Sequence, residues 1–548
     1  MRKILYVYGG PEFHPTRAAG ELLSNLIGSR EGYCLETTSD LDMLARLPEG
    51  KYAAVVVYTT GFADELTPER ERGLLDFIES GGGFVGVHSA ADSFRGSRRY
   101  IDMLGCEFLT HPDHHSFKVE IVNTDTDHPI TTRMESFTIT DEMYHLQSYD
   151  PSKVTVLAET NWQGRKLPLA YTKSYGQGRV AYLANGHDLR AWIHPEFQKM
   201  LRRAIRWSAG EEKRSGKIRC GLLGFGPTCN MGAGHASWIG QTEGMEVVAV
   251  CDASPDRIAA AKEQLPGLKG YFTNLDDMLA MDEVDLVVNI LPHYLHAPMA
   301  MKCLEAGKHV VMEKPFCLTV AEGKDLIQKA REQGVMLSVF HCRRWDDDYM
   351  TIRELLNKRL IGDVFHIDYS SVGYHQPGFE WRSDKAVSGG IMYDWGAHII
   401  DWILNLIPSE MTQLMGDFQK RVWHAVTNED HGKINVKFKN GVTVDIMMSS
   451  IAAVNRPKWQ ILGTQGSIEM NSQDEIYLTS MVKGVRQHSK IERMFGADWK
   501  KYYWNVADHL LMGEELIVKP EQALRVISIL EAASQSSELG RSVTPEVL

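Results

Sequence analysis

The sequence has no Cys-x-x-Cys pair. Its eight cysteines, Cys34, Cys106, Cys220, Cys229, Cys251, Cys303, Cys317 and Cys342, stand apart. Scattered thiols exclude a disulfide framework and a cysteine zinc site, and they predict a reducing, cytoplasmic setting. An excess of positive charge is missing too. Lys and Arg number 59 against 71 Asp and Glu, a formal net charge of -12. Phosphates would be repelled, so neither a nucleic acid nor an anionic membrane is expected as partner. No apolar run reaches the roughly 20 residues that span a bilayer. The opening "MRKILYVYGG" has an apolar stretch too short for a signal-peptide core, and no small-residue cleavage pattern follows it. It predicts a buried first strand. Internal repeats and low-complexity tracts are absent as well.

What is present is an ordinary globular composition spread over 548 residues, too many for one hydrophobic core. The helix-like "FQKMLRRAIRWSAG" stops at Gly210, and a charged segment, Glu211 to Gly216, precedes a fresh apolar strand at Ile218. A polar segment between a helix stop and a new strand predicts a linker. The predicted domains are 1–210, 217–340 and 341–548.

Within the first, "KILYVYGG", "AAVVVYTT" and "GFVGVHSA" predict buried strands. They alternate with helices such as "TPERERGLLDFIESGGG", which has a Thr cap, a Pro in its first turn and a glycine stop. Such alternation implies a parallel sheet with helices on both faces. The middle domain opens in the same way. Past residue 363 the segments "FHIDYSSVGYH", "GKINVKFKNGVTVDIMMSS" and "PKWQILGTQGSIEM" predict an antiparallel sheet with an Asn-Gly hairpin turn. The predicted fold class is therefore α/β, then α/β plus α+β: a flavodoxin-like domain, a Rossmann domain, and an α+β domain with a large, mostly antiparallel sheet.

"GLLGFG" places Gly224-x-Gly226 straight after a strand, and Asp252 ends the next strand. Glycines there let the backbone reach a pyrophosphate, and an acid at that strand end accepts from the adenosine ribose. The expected cofactor is NAD, with NADP possible. A third fingerprint glycine would fall at Cys229, where the sequence departs from the pattern. Lys314, in "VMEKPF", stands at the end of a further buried strand, where function gathers in open α/β sheets. "SGGIMYDWGAHIID" then sets Asp394 and His398 four residues apart, one helical turn, after Gly389 and Gly390. Read alone, that pair is an ordinary helix pair worth tenths of a kcal/mol.

Glu313-Lys314-Pro315, the preceding "PHYLHAPMAMKCLEAGKHVV", and the later Gly-Gly-x-x-x-Asp-x-x-x-His-x-x-Asp together resemble the Gfo/Idh/MocA oxidoreductases over about residues 217–548. The resemblance implies that Lys314, Asp394 and His398 surround a reacting carbinol. His398 would be the base, Asp394 would orient the sugar or the imidazole, and Lys314 would hold the hydroxyl oxygen. It also implies cofactor contacts from Gly224, Gly226, Asp252, Pro292, His296, Glu313 and Lys314. Substrate-side roles would fall to Arg344, Trp381, Arg382 and Asp401. A small carbohydrate substrate and a homo-oligomer, dimer or tetramer, are expected. The apolar alternating face of "KINVKFKNGVTVDIMMSS", if the last helix leaves it uncovered, is the surface expected to carry assembly.

"GGGFVGVHSAADSF", "THPDHHSF", "DEMYH" and "GRVAYLANGHD" resemble the ThuA-like (trehalose-utilisation) family, whose fold is that of class I glutamine amidotransferases. The elbow that would carry a nucleophilic cysteine reads Gly86-Val87-His88-Ser89, so glutamine hydrolysis is not expected. His14, His88, Asp141, Glu142 and His187 are the expected pocket. His111, His114 and His115 lack the spacing of a zinc motif, and no metal site is expected.

The reading is a nicotinamide-dependent oxidoreductase acting on a CH–OH group of a sugar, polyol or glycoside, with an accessory domain for the sugar or keto-sugar. Two alternatives stand beside it. One is a redox-neutral glycoside hydrolase or lyase that retains NAD. The other is a non-catalytic sugar or nucleotide sensor, against which the intact Lys314, Asp394 and His398 argue.

Overall fold

The computed structural model describes residues 2–27, 32–61, 65–122, 128–211, 216–227 and 230–546. Cys229 and positions 212–215 of the expected linker lie outside them. The chain forms two compact units, Met1–Ser215 and Gly216–Leu548.

The first unit is built on β1 (Arg2–Tyr8), β2 (Tyr33–Thr38), β3 (Tyr52–Tyr58), β4 (Gly83–Val87), β5 (Glu107–Thr110), β6 (His115–Ile121), β7 (Phe137–Asp141), β8 (His145–Gln147), β9 (Thr155–Trp162), β10 (Arg165–Tyr175) and β11 (Gly178–Leu183). Nine of these form one sheet in the order β2-β1-β3-β4-β11-β10-β9-β6-β7, while β5 pairs with β8. The five strands β2, β1, β3, β4 and β11 run parallel, and the apolar runs of β1, β3, β4 and β11 are buried on both faces. The helix Pro68–Glu79 begins as its sequence predicts, with the Thr67 hydroxyl accepting from Arg70 N. The other half of the sheet departs from the expected parallel arrangement, since β11, β10, β9, β6 and β7 pair antiparallel. Tight turns are the reason. Gln163 and Gly164 have φ of 51° and 83°, and Gly176 has 57°. Such left-handed turns fold a strand back on its neighbour and leave no room for a crossover helix.

The second unit holds two sheets. β12 (Ile218–Leu223), β13 (Met245–Cys251), β14 (Gly270–Phe272), β15 (Leu286–Asn289), β16 (His309–Met312) and β17 (Leu337–Val339) are all parallel, in the order β14-β13-β12-β15-β16-β17. The order reverses between β12 and β15, which opens a crevice at the carboxyl ends of those strands. β18 (Val364–Val372), β19 (Met411–Gln419), β20 (His431–Phe438), β21 (Thr443–Ser449), β22 (Trp459–Gly463), β23 (Gly466–Met470), β24 (Ile476–Val482) and β25 (Val485–Ile491) form the second sheet, in the order β19-β20-β21-β18-β22-β23-β24-β25. Every neighbouring pair is antiparallel except β18 with β21. The helix Gly396–Leu406 and two strands intervene between those two in the chain, a connection long enough for parallel pairing.

The terminal helix Pro520–Leu539 packs on β19. Gly416 allows this, because a Cβ there would strike the Ala533 carbonyl. The apolar alternating face of β20 and β21 is buried through Ile434, Val436, Val444 and Ile446. The opposite face is polar, with Asp445 engaging Asn435 and Lys433. The uncovered apolar face expected from the sequence is therefore a covered one. Among the described residues no helix is long and apolar enough to cross a membrane.

Candidate active site

A cavity of about 460 Å³ lies at the crevice of the parallel sheet in the second unit. β12 leads into Gly224, whose φ of 103° favours glycine, and a Cβ there would meet Ile290 O at 3.1 Å. β13 delivers Asp252, whose Oδ2 accepts from Phe225 N at 2.8 Å and Oδ1 from Ser254 N at 2.9 Å. An ionised carboxylate has about four acceptor sites, so two remain for ribose hydroxyls. Arg257 Nη1 stands 3.7 Å from Asp252 Oδ2 and also lines the cavity. Gly226, Pro292, His296 and Glu313 are lining residues as well. His296 shapes the floor more than it presents a free donor. Its ring nitrogens face Pro315 O at 2.7 Å and Leu291 O at 2.8 Å. Glu313 is tied to His235 Nε2 at 3.0 Å and accepts from Lys314 N at 3.0 Å. A glycine turn without side chains, a ribose-level carboxylate and an apolar-walled cavity fit a dinucleotide.

Lys314 follows β16 and reaches across the crevice. Its Nζ donates to Asp394 Oδ1 at 2.7 Å and to Asp394 O at 3.0 Å. Arg382 Nε adds a weaker contact, 3.6 Å from Asp394 Oδ2, and its guanidinium stacks 4.3 Å over Trp381. Burial would raise the Asp394 carboxyl, but Lys314, then His293 and Arg382, outweigh it and hold it well below the usual carboxylate range. His398 is 5% exposed. Burial, then Lys314, Arg343 and His341, press its pKa well below that of free imidazole, so the ring is neutral near neutral pH. Among the described residues its Nδ1 has no hydrogen-bond partner.

Three expectations change here. Asp394 and His398 do not share one helix. Asp394 ends the turn Ile391–Asp394, Trp395 breaks the run, and His398 lies in the first turn of Gly396–Leu406. Both still line the cavity, but the carboxylate bonds Lys314 and not the imidazole. Arg344 and Asp401, expected on the substrate side, do not line the cavity. They form a two-pronged buried pair at 2.8 and 2.6 Å, behind the wall of the cavity. Finally, His293 went unread. It is buried, its Nδ1–H donates to Ser388 O at 2.7 Å, and its ring meets Trp381 edge-on. Burial, then His296 and Lys314, keep it neutral. The "PHYLH" stretch contained it, but no spacing rule singles it out from His296.

In the first unit the expected pocket residues converge with one exception. His14, His88, Glu142 and His187 come together within 4.8 Å. Asp141 stands behind them as a clamp, accepting from Gly186 N at 2.8 Å, His187 N at 3.0 Å and Asn185 Nδ2 at 3.2 Å. His88 sits at the elbow after β4 with φ of 45°, a strained conformation for a non-glycine residue. Of the three remaining histidines, His111 Nε2 comes within 3.6 Å of Glu142, His114 turns to Asp188, and His115, at the start of β6, packs on Trp162. The expectation of no metal site came from spacing along the chain. The folded chain brings four widely separated donors into ligand range instead.

Comparison with known proteins follows the same division. A family model described as trehalose utilisation (ThuA) matches residues 3–208. The NAD-binding Rossmann model of the GFO/IDH/MocA oxidoreductase family matches 218–341, and that family's C-terminal domain model matches 349–469. The chain is a ThuA domain followed by a GFO/IDH/MocA oxidoreductase. Among curated proteins, this GFO/IDH/MocA oxidoreductase is 28% identical to the scyllo-inositol 2-dehydrogenase (NADP(+)) IolW of Bacillus subtilis, over 60% of this chain and 96% of that one. It is 26% identical to the scyllo-inositol 2-dehydrogenase (NAD(+)) of the same organism, over 46% and 73%. Among solved structures, an NAD-binding protein from Listeria innocua superposes with a TM-score of 0.55 at 25% identity, over 60% of this chain and 99% of that one. The WlbA dehydrogenase of Bordetella pertussis, at 23% identity and a TM-score of 0.51, over 61% and 99%, shares the fold. The GFO/IDH/MocA part is thus an NAD-binding oxidoreductase of the Rossmann class.

Proposed function

We propose that the second unit oxidises or reduces a CH–OH group of a sugar, polyol or glycoside. When bound, NAD supplies the hydride acceptor. Gly224 and Gly226 leave space for its pyrophosphate, and Asp252 takes ribose hydroxyls. Lys314, anchored by Asp394, would hold the carbinol oxygen. The neutral imidazole of His398, whose ring carries an unprotonated nitrogen, would take the hydroxyl proton. Asp394 thus acts through Lys314, a role narrower than orienting the imidazole. The observation that supports this reading most is the 2.7 Å Lys314–Asp394 pair, set beside a neutral His398 in the cavity that Gly224 and Asp252 also line. Two inositol dehydrogenases among the relatives support a polyol or sugar as substrate class. For the ThuA domain we propose binding of the same sugar or its keto form.

The test is a panel of sugars, polyols and glycosides with NAD, followed at the near-ultraviolet band of reduced nicotinamide. Steady formation of reduced cofactor supports the dehydrogenase. Glycoside cleavage with no net reduction would replace it by the redox-neutral route. No change with any member, in either direction, would leave the sensor as the reading.

A further inference from the structure

The ThuA domain holds four side chains whose arrangement asks for a partner. His14 follows β1, His88 follows β4, Glu142 follows β7 and His187 follows β11. The backbone and neighbouring hydroxyls decide which ring nitrogens are free. His88 Nδ1 faces the Ala184 carbonyl at 2.7 Å, so that nitrogen must carry the proton. Thr60 gives its hydroxyl hydrogen to Ser89 Oγ at 2.8 Å, so it can only accept from His14 Nδ1 at 2.6 Å. Nε2 of both rings is therefore a lone pair. Both atoms are buried and, among the described residues, have no hydrogen-bond partner, on rings only 4% and 0% exposed. A carboxylate, Glu142, stands in the same cluster, all four donor atoms lying within 4.8 Å of one another. His88 Nε2 lies 3.4 Å and His187 Nδ1 3.0 Å from Glu142 Oε2.

Lone pairs gathered around an anion repel one another unless a cation or protons intervene. In the neutral rings of His14 and His88 the one proton is already committed at Nδ1, so neither Nε2 has a proton to offer the carboxylate. A metal ion satisfies all four groups at once. In a tetrahedral site with metal–ligand bonds of about 2.0–2.1 Å, the ligand atoms stand roughly 3.3 Å apart. The 3.0 and 3.4 Å separations match that edge.

We propose that His14 Nε2, His88 Nε2, His187 Nδ1 and a Glu142 carboxylate oxygen bind one divalent transition-metal ion, with zinc as the probe. Three imidazoles and one carboxylate favour zinc and its neighbours over magnesium or calcium, which prefer oxygen. The supports behind the ligands are those a metal site requires: Thr60 and Ser89 behind His14, Ala184 O behind His88, and Asp141 gripping the His187 backbone. Glu142 and His187 are the more exposed ligands, at 13% and 17% of their side chains. An oxygen of a hydroxylated or keto ligand would join the ion from their side. The second candidate group among the described residues, His366, Asp368 and Asp445, lacks this character. His366 already engages Thr443 at 2.7 Å and Asp368 at 3.0 Å, and Asp445 engages Asn435 and Lys433.

The experiment uses the untagged full chain, stripped with a chelator and titrated with zinc by calorimetry. Metal content is measured by mass spectrometry, and cobalt serves as a spectroscopic substitute. One zinc per chain is expected, bound with a Kd on the order of 1 μM or tighter, with a raised melting temperature and a four-coordinate cobalt spectrum. Glu142→Gln, which keeps the shape, and His14→Ala should each weaken binding by at least about 100-fold. Asp445→Asn should bind like the parent. Absence of zinc uptake by the parent would overturn the proposal, as would binding unchanged in Glu142→Gln and His14→Ala, or binding lost in Asp445→Asn. Circular dichroism of each variant separates loss of metal from loss of fold.

Discussion

Lys314→Met removes the cation on which the candidate active site turns. The substitution keeps the length of the side chain and deletes two charge-assisted bonds, at 2.7 and 3.0 Å, to Asp394. Arg382, 3.6 Å away, becomes the remaining cation against that carboxylate. Breaking a fully buried ion pair costs about 3–5 kcal/mol. Asp394 keeps 32% of its side chain exposed and Lys314 13%, so solvent screens the orphaned charge and the loss of stability should be nearer 1–2 kcal/mol. Turnover should suffer more. A displaced acid–base or oxygen-holding group costs about 100- to 10,000-fold, equivalent to roughly 3–5 kcal/mol of barrier. Nucleotide affinity should stay within about 3-fold, because the glycine turn and Asp252 are untouched. Stopped-flow reduction of NAD by the best substrate of the panel, with fluorescence titration of the nucleotide, reads both quantities. A variant whose kcat stays within a factor of three of the parent would refute the assignment of Lys314. So would a collapse of nucleotide binding that accounts for the whole effect.

Cofactor choice should favour NAD over NADP, since a carboxylate at Asp252 repels a 2′-phosphate. Asp252→Ala should narrow that preference, while Arg257→Ala should abolish whatever NADP use the parent has, and kcat/KM with both nucleotides is the check. Buried His341 has its pKa pressed down to about 4, chiefly by burial, whereas in the unfolded chain it titrates near 6.5. Its contribution to stability is therefore complete above about pH 6.5 and is lost as pH falls toward 4. The gap is worth roughly 3 kcal/mol, and urea melts of the parent and of His341→Gln should show the slope flattened in the variant. We further propose a dimer or tetramer assembled through the second unit, where Phe365 and Met481 are half exposed. A monomer in sedimentation at micromolar concentration would count against it.

How much of this could be read before folding depended on how local each signal was. Gly224, Asp252 and Lys314 each sit at the end of an apolar run, so strand periodicity alone places them along one sheet edge. The parallel half of the ThuA sheet was legible for the same reason. The antiparallel half was not, because its pairing follows from turns such as Gln163-Gly164 that carry little weight beside the longer alternation. Arg344 and Asp401 were expected on the substrate side because the resemblance implied it. Their burial against each other is a property of the folded core, invisible in spacing. His293 has no signal in the sequence that separates it from His296, since its role comes from the Ser388 carbonyl and Trp381, both distant along the chain. His14, His88, Glu142 and His187 were each named as pocket residues, yet no linear pattern joins ligands that arrive from four different loops.

The histidines His88 and His293 share a feature with an engineering consequence. In each, a main-chain carbonyl, Ala184 O or Ser388 O, holds the Nδ1 proton and leaves the other nitrogen bare. A carbonyl cannot be removed by changing a side chain. Point substitutions around these rings should therefore leave their proton placement intact, and libraries of such substitutions would sample shape without altering which atom is basic. Insertions and deletions act differently. One residue gained or lost near position 184 or 388 would swing the carbonyl away and free the ring to exchange its tautomer. Loop length, more than residue identity, is then the variable that a designer, or natural drift, would have to hold constant at these two places.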